Sequence, residues 1–155
     1  MQTAADYLKD LIPQLLPGVL FFHGTIKQLS EDLDTLPLRG QCVCLNDSTR
    51  FTVATTKTGA QEVGFTVSLM LGIKSHPAWR PAERNQVQRI TLAWARVLAA
   101  EFTRLGVLRA TLQGDTFFNL FDVNIDGCTV AYQLQLPDLW DYCIPEIPEL
   151  PLLPA

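Results

Sequence analysis

From Gln61 to Ile73 the chain alternates apolar and polar positions almost without fault. Val63, Phe65, Val67, Leu69, Leu71 and Ile73 fall on one side of the repeat, and Glu62, Gly64, Thr66, Ser68 and Lys74 on the other. A period of two marks a strand with one buried face. At about 3.3 Å per residue the run spans roughly 40 Å, well beyond the usual strand of about five or six residues. A proline-marked loop follows, His76-Pro77-Ala78-Trp79-Arg80-Pro81, and the period then becomes helical. From about Ala82 to Leu105, the residues Val87, Ile90, Trp94, Val97, Leu98, Phe102 and Leu105 form the expected core stripe. Arg84, Gln88, Arg96 and Arg104 fall mostly elsewhere on that helix. Pro81 suits its first turn and Gly106 its C-terminal cap.

Upstream, Thr3 to Leu16 reads as a helix capped by Thr3, with Ala4, Leu8, Leu11, Ile12 and Leu15 in a stripe. Pro13 should kink that helix or end it early. Val19 to His23 reads as a short strand ended by Gly24, and Lys27 to Leu36 as a polar connection with room for a helical turn. Arg39–Leu45 and Arg50–Thr56 read as strands, the second with Phe51 and Val53 on one face. Thr55 to Gly59 then forms a solvated hairpin tip leading into the long strand.

Asp126-Gly127 lies between two alternating runs, the strongest short-range mark of a two-residue hairpin. Such a loop pairs Ile125 with Cys128, Val123 with Val130, Phe121 with Tyr132 and Phe117 with Leu136. The residues Asp122, Asn124, Thr129, Gln133 and Gln135 then share the polar face. Beyond the hairpin, Pro145, Pro148, Pro151 and Pro154 recur at every third position, which favours polyproline II and excludes a central strand. The intervening Ile144, Ile147, Leu150, Leu152 and Leu153 are more apolar than a free linker carries. Two readings stay open, a disordered tail and an extended arm that docks on a neighbouring subunit.

These elements predict an α+β fold: a mostly antiparallel twisted sheet, a long helix packed on one face, an N-terminal helix and an extended proline-rich C-terminal arm. Residues 1–142 form one domain and 143–155 the arm. The chain of 155 residues can bury a core without staples. Only 18% of it is charged, below the roughly 25% typical of soluble domains, which suits either a well-filled core or burial against other subunits. A net charge of −4 argues against a surface that wraps DNA. No apolar run reaches the ~18 residues that span a bilayer, so no membrane is expected. Asp6 and Asp10 near the start are wrong for a signal peptide.

Chemistry is sparse. Cys42 and Cys44 share one face of a strand, yet His23 and His76 are the only histidines and neither has finger-like spacing from them, so no zinc site is expected. The cysteines read as small buried hydrophobes. There is no phosphate loop, dinucleotide fingerprint or nucleophile elbow. Asp122 with Asp126, and Asp138 with Asp141 around Trp140, could serve acid–base work but are more often turn formers and surface charges. No cofactor and no enzyme activity are expected.

The order of elements resembles the tail terminator proteins of long-tailed bacteriophages, the lambda-like minor tail protein U group. It runs from a helix through a short strand ending near His23-Gly24 and strands at 39–45 and 50–56 to a long alternating strand. A long helix and a closing strand pair complete it. The likeness covers most of the chain and rests on Gln61–Leu69 feeding a loop and helix, and on Val130–Leu136 closing the sheet. The proline-rich arm departs from the group. The resemblance implies a ring, usually of six subunits, that caps the tail tube protein and joins it to the head-tail connector protein. DNA passes through its lumen without sequence-specific binding. It also implies assembly in the host cytoplasm and a place at the head-proximal end of the virion tail.

The candidate subunit contacts are Lys57, Thr58, Gly59 and Gln61 of the loop, and Pro145, Ile147, Pro148, Leu150, Pro151 and Leu152 of the arm. The candidate lumen residues are Glu31, Asp32 and Asp34. Competing readings are another head-tail connector or tail-completion protein, a peptide-binding adaptor, and a small cytoplasmic α+β ligand-binding protein or enzyme. The last would draw on His23, Asp122 and Tyr132.

Overall fold

The computed structural model describes residues 3–46, 50–55, 57–59, 61–111, 113–120 and 123–136. Within these the chain forms three helices, α1 (Ala4–Leu15), α2 (Ile26–Asp34) and α3 (Pro81–Arg104). The strands are β1 (Leu20–Gly24), β2 (Gln41–Asn46), β3 (Arg50–Thr55), β4 (Gln61–Lys74), β5 (Leu108–Thr111), β6 (Thr116–Leu120) and β7 (Ile125–Leu136). They make one mixed sheet, antiparallel except where β1 runs parallel to β2. The α+β class, the long helix on the sheet and the N-terminal helix are as the sequence predicts.

β4 and β7 form the spine. They pair antiparallel from Val63↔Leu136 to Lys74↔Ile125, nearly the whole length of both strands. Each carries two short strands, one after the other, along its outer edge. On β4 these are β2, opposite Leu69–Ile73, and β3, opposite Gln61–Thr66. On β7 they are β6, near Ile125–Cys128, and β5, near Tyr132–Leu134. Helices α1 and α3 cover one face. There Leu8, Ile12, Val43, Leu45, Val67, Leu69, Leu71, Leu98, Phe102, Val130, Tyr132 and Leu134 form the main core. Tyr132 is fully buried, donates its hydroxyl to the Ala95 carbonyl at 2.7 Å, and meets Phe102 edge-on at 5.2 Å.

The alternation of β4 is one-sided only as far as Leu69. Met70 is also buried, because α2 covers the opposite face at that end of the sheet with Leu29 and Leu33 against Cys42, Cys44, Met70 and Ile125. The polar connection expected at Lys27–Leu36 is thus a helix. Thr25 caps it reciprocally with Gln28: the Gln28 N–H donates to Thr25 Oγ1 at 3.3 Å, and the Thr25 N–H donates to Gln28 Oε1 at 2.9 Å. Lys74 at the end of β4 donates to the Leu33 carbonyl at 3.3 Å and lies 3.9 Å from Asp34, a cation at a helix C-terminus.

Cap chemistry behaves as read at the other helix ends. Thr3 and Asp6 form a capping box on α1, and the hydrogen bonds from Thr3 hold the Asp6 carboxyl below its ordinary range. Pro13 does not end α1, which carries on to Leu15. After α3, Gly106 takes φ 72° and donates to Thr103, while Val107 donates to Phe102, the paired bonds of a Schellman stop.

The expected turn at Asp126-Gly127 is wrong. Both residues lie inside β7, paired with Ile73 and Gly72 of β4, and the β6–β7 connection spans 121–124. Asn124, at φ 55°, supplies the left-handed residue. Gly127 is needed for close approach, since a Cβ there would sit 1.9 Å from the Leu71 carbonyl oxygen. Asp126 is fully buried and serves Arg84. Arg84 Nη1 donates to both Asp126 carboxylate oxygens, at 3.0 and 2.8 Å, and Nε donates to the Trp79 carbonyl at 3.3 Å. The guanidinium also lies 5.5 Å from the centroid of the Phe118 ring.

Arg84 therefore belongs to the inward side of α3 with Val87, Thr91, Leu98 and Phe102, whereas Val97 and Leu105 of the expected stripe are exposed. The pair locks α3, the 75–80 loop and β7 together. Removing one partner of a buried, hydrogen-bonded ion pair strands the other charge and costs about 3–5 kcal/mol. Asp126→Ala should lose that much in urea unfolding, and the Arg84→Met/Asp126→Leu double variant markedly less. A loss under about 1 kcal/mol for Asp126→Ala would remove the pair from this role.

Cys42, Cys44 and Cys128 are buried free thiols. The adjoining Cys42 thiol, then burial, push the Cys44 thiol up, and burial pushes Cys128 up. A raised thiol pKa lowers the thiolate fraction, the reactive form, at any given pH. At pH 8 a disulfide reagent should leave these three unmodified in the folded protein and titrate them in guanidinium. Rapid native reaction at any of them would contradict the burial.

Candidate subunit interface

The sheet is longer than its helical cover. α3 runs toward the Leu134 end of β7, where Gln135 donates its N–H to the Val107 carbonyl just after the helix stops. At that level β3 pairs with the first half of β4 on the side away from β7, and every residue of β3 is exposed. Directly opposed residues of an antiparallel pair share a face. Phe51 stands opposite Phe65 and Val53 opposite Val63, so all four belong to the face that α1 and α3 cover elsewhere. Yet Phe51 is 68% and Val53 54% exposed, while Val63 is buried and Phe65 packs against the main core. The outcome is an apolar strip on an edge strand, with exposed Arg50 at one end and exposed Lys57 just past the other. Among the described residues the outer edge of β3 pairs with no strand. Unpaired N–H and C=O groups beside an apolar face form a ready template for another chain.

The candidate loop lies at the end of this strip. Lys57, Thr58 and Gly59 are exposed at the β3–β4 tip, where Gly59 takes φ 84° to turn the chain, and Gln61 opens β4 opposite Thr55. β7 runs antiparallel to β4, so the described chain ends at Leu136, opposite Val63, at the same end of the sheet. The loop and the root of the C-terminal segment are thereby brought together. Pro145, Ile147, Pro148, Leu150, Pro151 and Leu152 lie outside the described residues.

The acidic candidates lie elsewhere. Glu31, Asp32 and Asp34 are exposed on α2, which packs on the opposite face and toward the opposite end of β4. Glu31 is 3.9 Å from Lys27, and the Asp32 carbonyl accepts from the Thr35 hydroxyl at 2.6 Å.

Of the residues named for ligand chemistry, His23 and Tyr132 do not converge. His23 is exposed on β1, Tyr132 is buried in β7 with its hydroxyl satisfied, and three strand spacings, about 14 Å, separate the two strands. Asp122, Asp138 and Asp141 lie outside the described residues. Among the described residues no group of three or more His, Cys, Asp or Glu could hold a metal ion. No helix among them is long and apolar enough to cross a membrane.

Comparison with known proteins gives no matching family model, no similar curated protein and no similar solved structure.

The alternation at Phe51 and Val53 was legible, but their exposure was not, because sequence does not say which strands the helices cover. An exposed strip contributes little to the fold of one chain. Phe51→Ser should change the unfolding free energy by no more than about 1 kcal/mol, the worth of one cross-strand pair. Leu69→Ala, in the core, should cost about 2–5 kcal/mol. Equal losses in urea melts would mean that the strip is covered within the monomer.

Proposed function

We propose that this chain is a structural subunit that assembles with copies of itself into a closed ring. The observation that carries this reading is the apolar, unpaired β3 edge, which stands beside the exposed hairpin tip and the root of the proline-rich segment. A ring needs heterologous contacts between two different patches of each subunit. The β3 edge is one such patch, and the outer side of β5 and β6, across the sheet, is a separate one.

The particular ring we propose is the tail terminator of a long-tailed bacteriophage, which caps the tail tube and meets the head connector. The resemblance in element order supports this. So does the net charge of −4, since a conduit must let DNA slide rather than hold its phosphates. The purified protein should give a mass near six subunits by native mass spectrometry, or form rings in negative stain only once tail tubes are added. A monomer at all concentrations that ignores tubes overturns the reading.

A further inference from the structure

We propose that the β3 strip is the docking site for the proline-rich C-terminal segment of an adjacent copy. The inference rests on the self-assembly reading and names the pieces that meet.

Three observations carry it. The strip and the segment match in character. Phe51 and Val53 present an exposed apolar ribbon, and Ile144, Ile147, Leu150, Leu152 and Leu153 supply apolar side chains to match it. They also match in charge. Arg50 and Lys57 flank the strip, while Glu146 and Glu149 are the charged residues of the stretch Ile144–Pro154. The third observation is length, which lets the segment reach a neighbour, as the self-assembly reading requires. The described fold ends at Leu136, opposite Val63, and Val63 in turn stands opposite Val53. A chain leaving there is two strand spacings, about 10 Å, from its own strip. Eight positions separate Leu136 from Ile144, a reach of up to about 25 Å before the apolar part begins. Proline at every third position from Pro145 then opposes doubling back. The stretch Ile144–Pro154 spans about 30 Å, enough to cover the roughly 20 Å of β3 on another copy.

Cross-linking between chains tests this. Two full-length variants share Cys143→Ser; one adds Val53→Cys as acceptor, the other Leu150→Cys as donor. The remaining cysteines, Cys42, Cys44 and Cys128, are buried. Mixed and treated with a short bismaleimide, the two should give a dimer-sized adduct on a denaturing gel. Adding Phe51→Glu to the acceptor should lower its yield about tenfold or more, by losing apolar burial and by placing an acid against Glu146 and Glu149. A single chain carrying both new cysteines should give a ladder of linked subunits.

An internal adduct at monomer mass, with no ladder, overturns the proposal in favour of docking within one chain. Absence of any adduct from protein that native mass spectrometry shows as rings overturns the docking and leaves the ring standing. A cross-chain adduct from protein that never closes into rings supports the docking and removes the ring.

Discussion

The structure hangs on one ladder. β4 and β7 pair over almost their full lengths, and every other strand except β1 is attached directly to one of them. A strand far longer than the usual five or six residues or so can carry two partners end to end along one edge, and both spine strands do so. The arrangement divides the sheet into two halves with different surroundings. The half near Lys74 and Ile125 is sandwiched between α3 and α2. The half near Gln61 and Leu136 packs against the main core on one face, and β3, along its edge, lies outside that cover. Because the ladder is continuous, β3 is held by β4, so it needs little core of its own.

Holding α3 on this ladder requires a buried charge. Arg84 sits in the first turns of α3, and its partner Asp126 lies in β7 on the helix-facing side, fully out of water. Such a pair is a poor source of stability relative to an apolar one, yet breaking it is costly. Its value lies in direction. The guanidinium reaches the carboxylate and the carbonyl of Trp79 together, so it fixes the loop that reverses the chain between β4 and α3. Ser75 helps from the other side, donating both its N–H and its hydroxyl to the Asn124 carbonyl.

What was legible in the sequence follows the range of the interactions. Although the inward stripe of α3 includes Arg84 and leaves out Val97 and Leu105, the period-two run of β4, the helical period of α3 and the caps at Thr3 and Gly106 are set by neighbours in the chain and read correctly. Asp126-Gly127 did not, because the dipeptide that makes a tight turn also serves a buried ion pair next to a close backbone approach. Deciding between them requires knowing that Arg84 lies opposite. The α2 helix left a trace in Thr25-x-x-Gln28 and in the i, i+4 pair Leu29 and Leu33, but acids on its outer side made the segment look like a connection. β5, four residues long, is too short to show a period. The strip of Phe51 and Val53 read only as one face of a strand, since its lack of cover depends on which strands the helices lie across.

The magnitudes explain why such a strip suits a ring better than a pair. Covering a Phe and a Val that are already partly shielded gains roughly 2–4 kcal/mol. Association costs at least about 4 kcal/mol in lost freedom before any side chain is ordered. A single strip therefore does not hold two chains together at ordinary concentrations, which also keeps free subunits from pairing edge to edge. Hydrogen bonding along the β3 edge, or charge pairing at Arg50 and Lys57, adds to each contact. In a closed ring the last contact forms between subunits already tethered, where effective concentration replaces most of the association cost. Weak edges thus favour the complete ring over its fragments. The same reasoning places the sensitivity of the proposed assembly at Phe51, where a change hardly felt by one chain would be repeated at every contact.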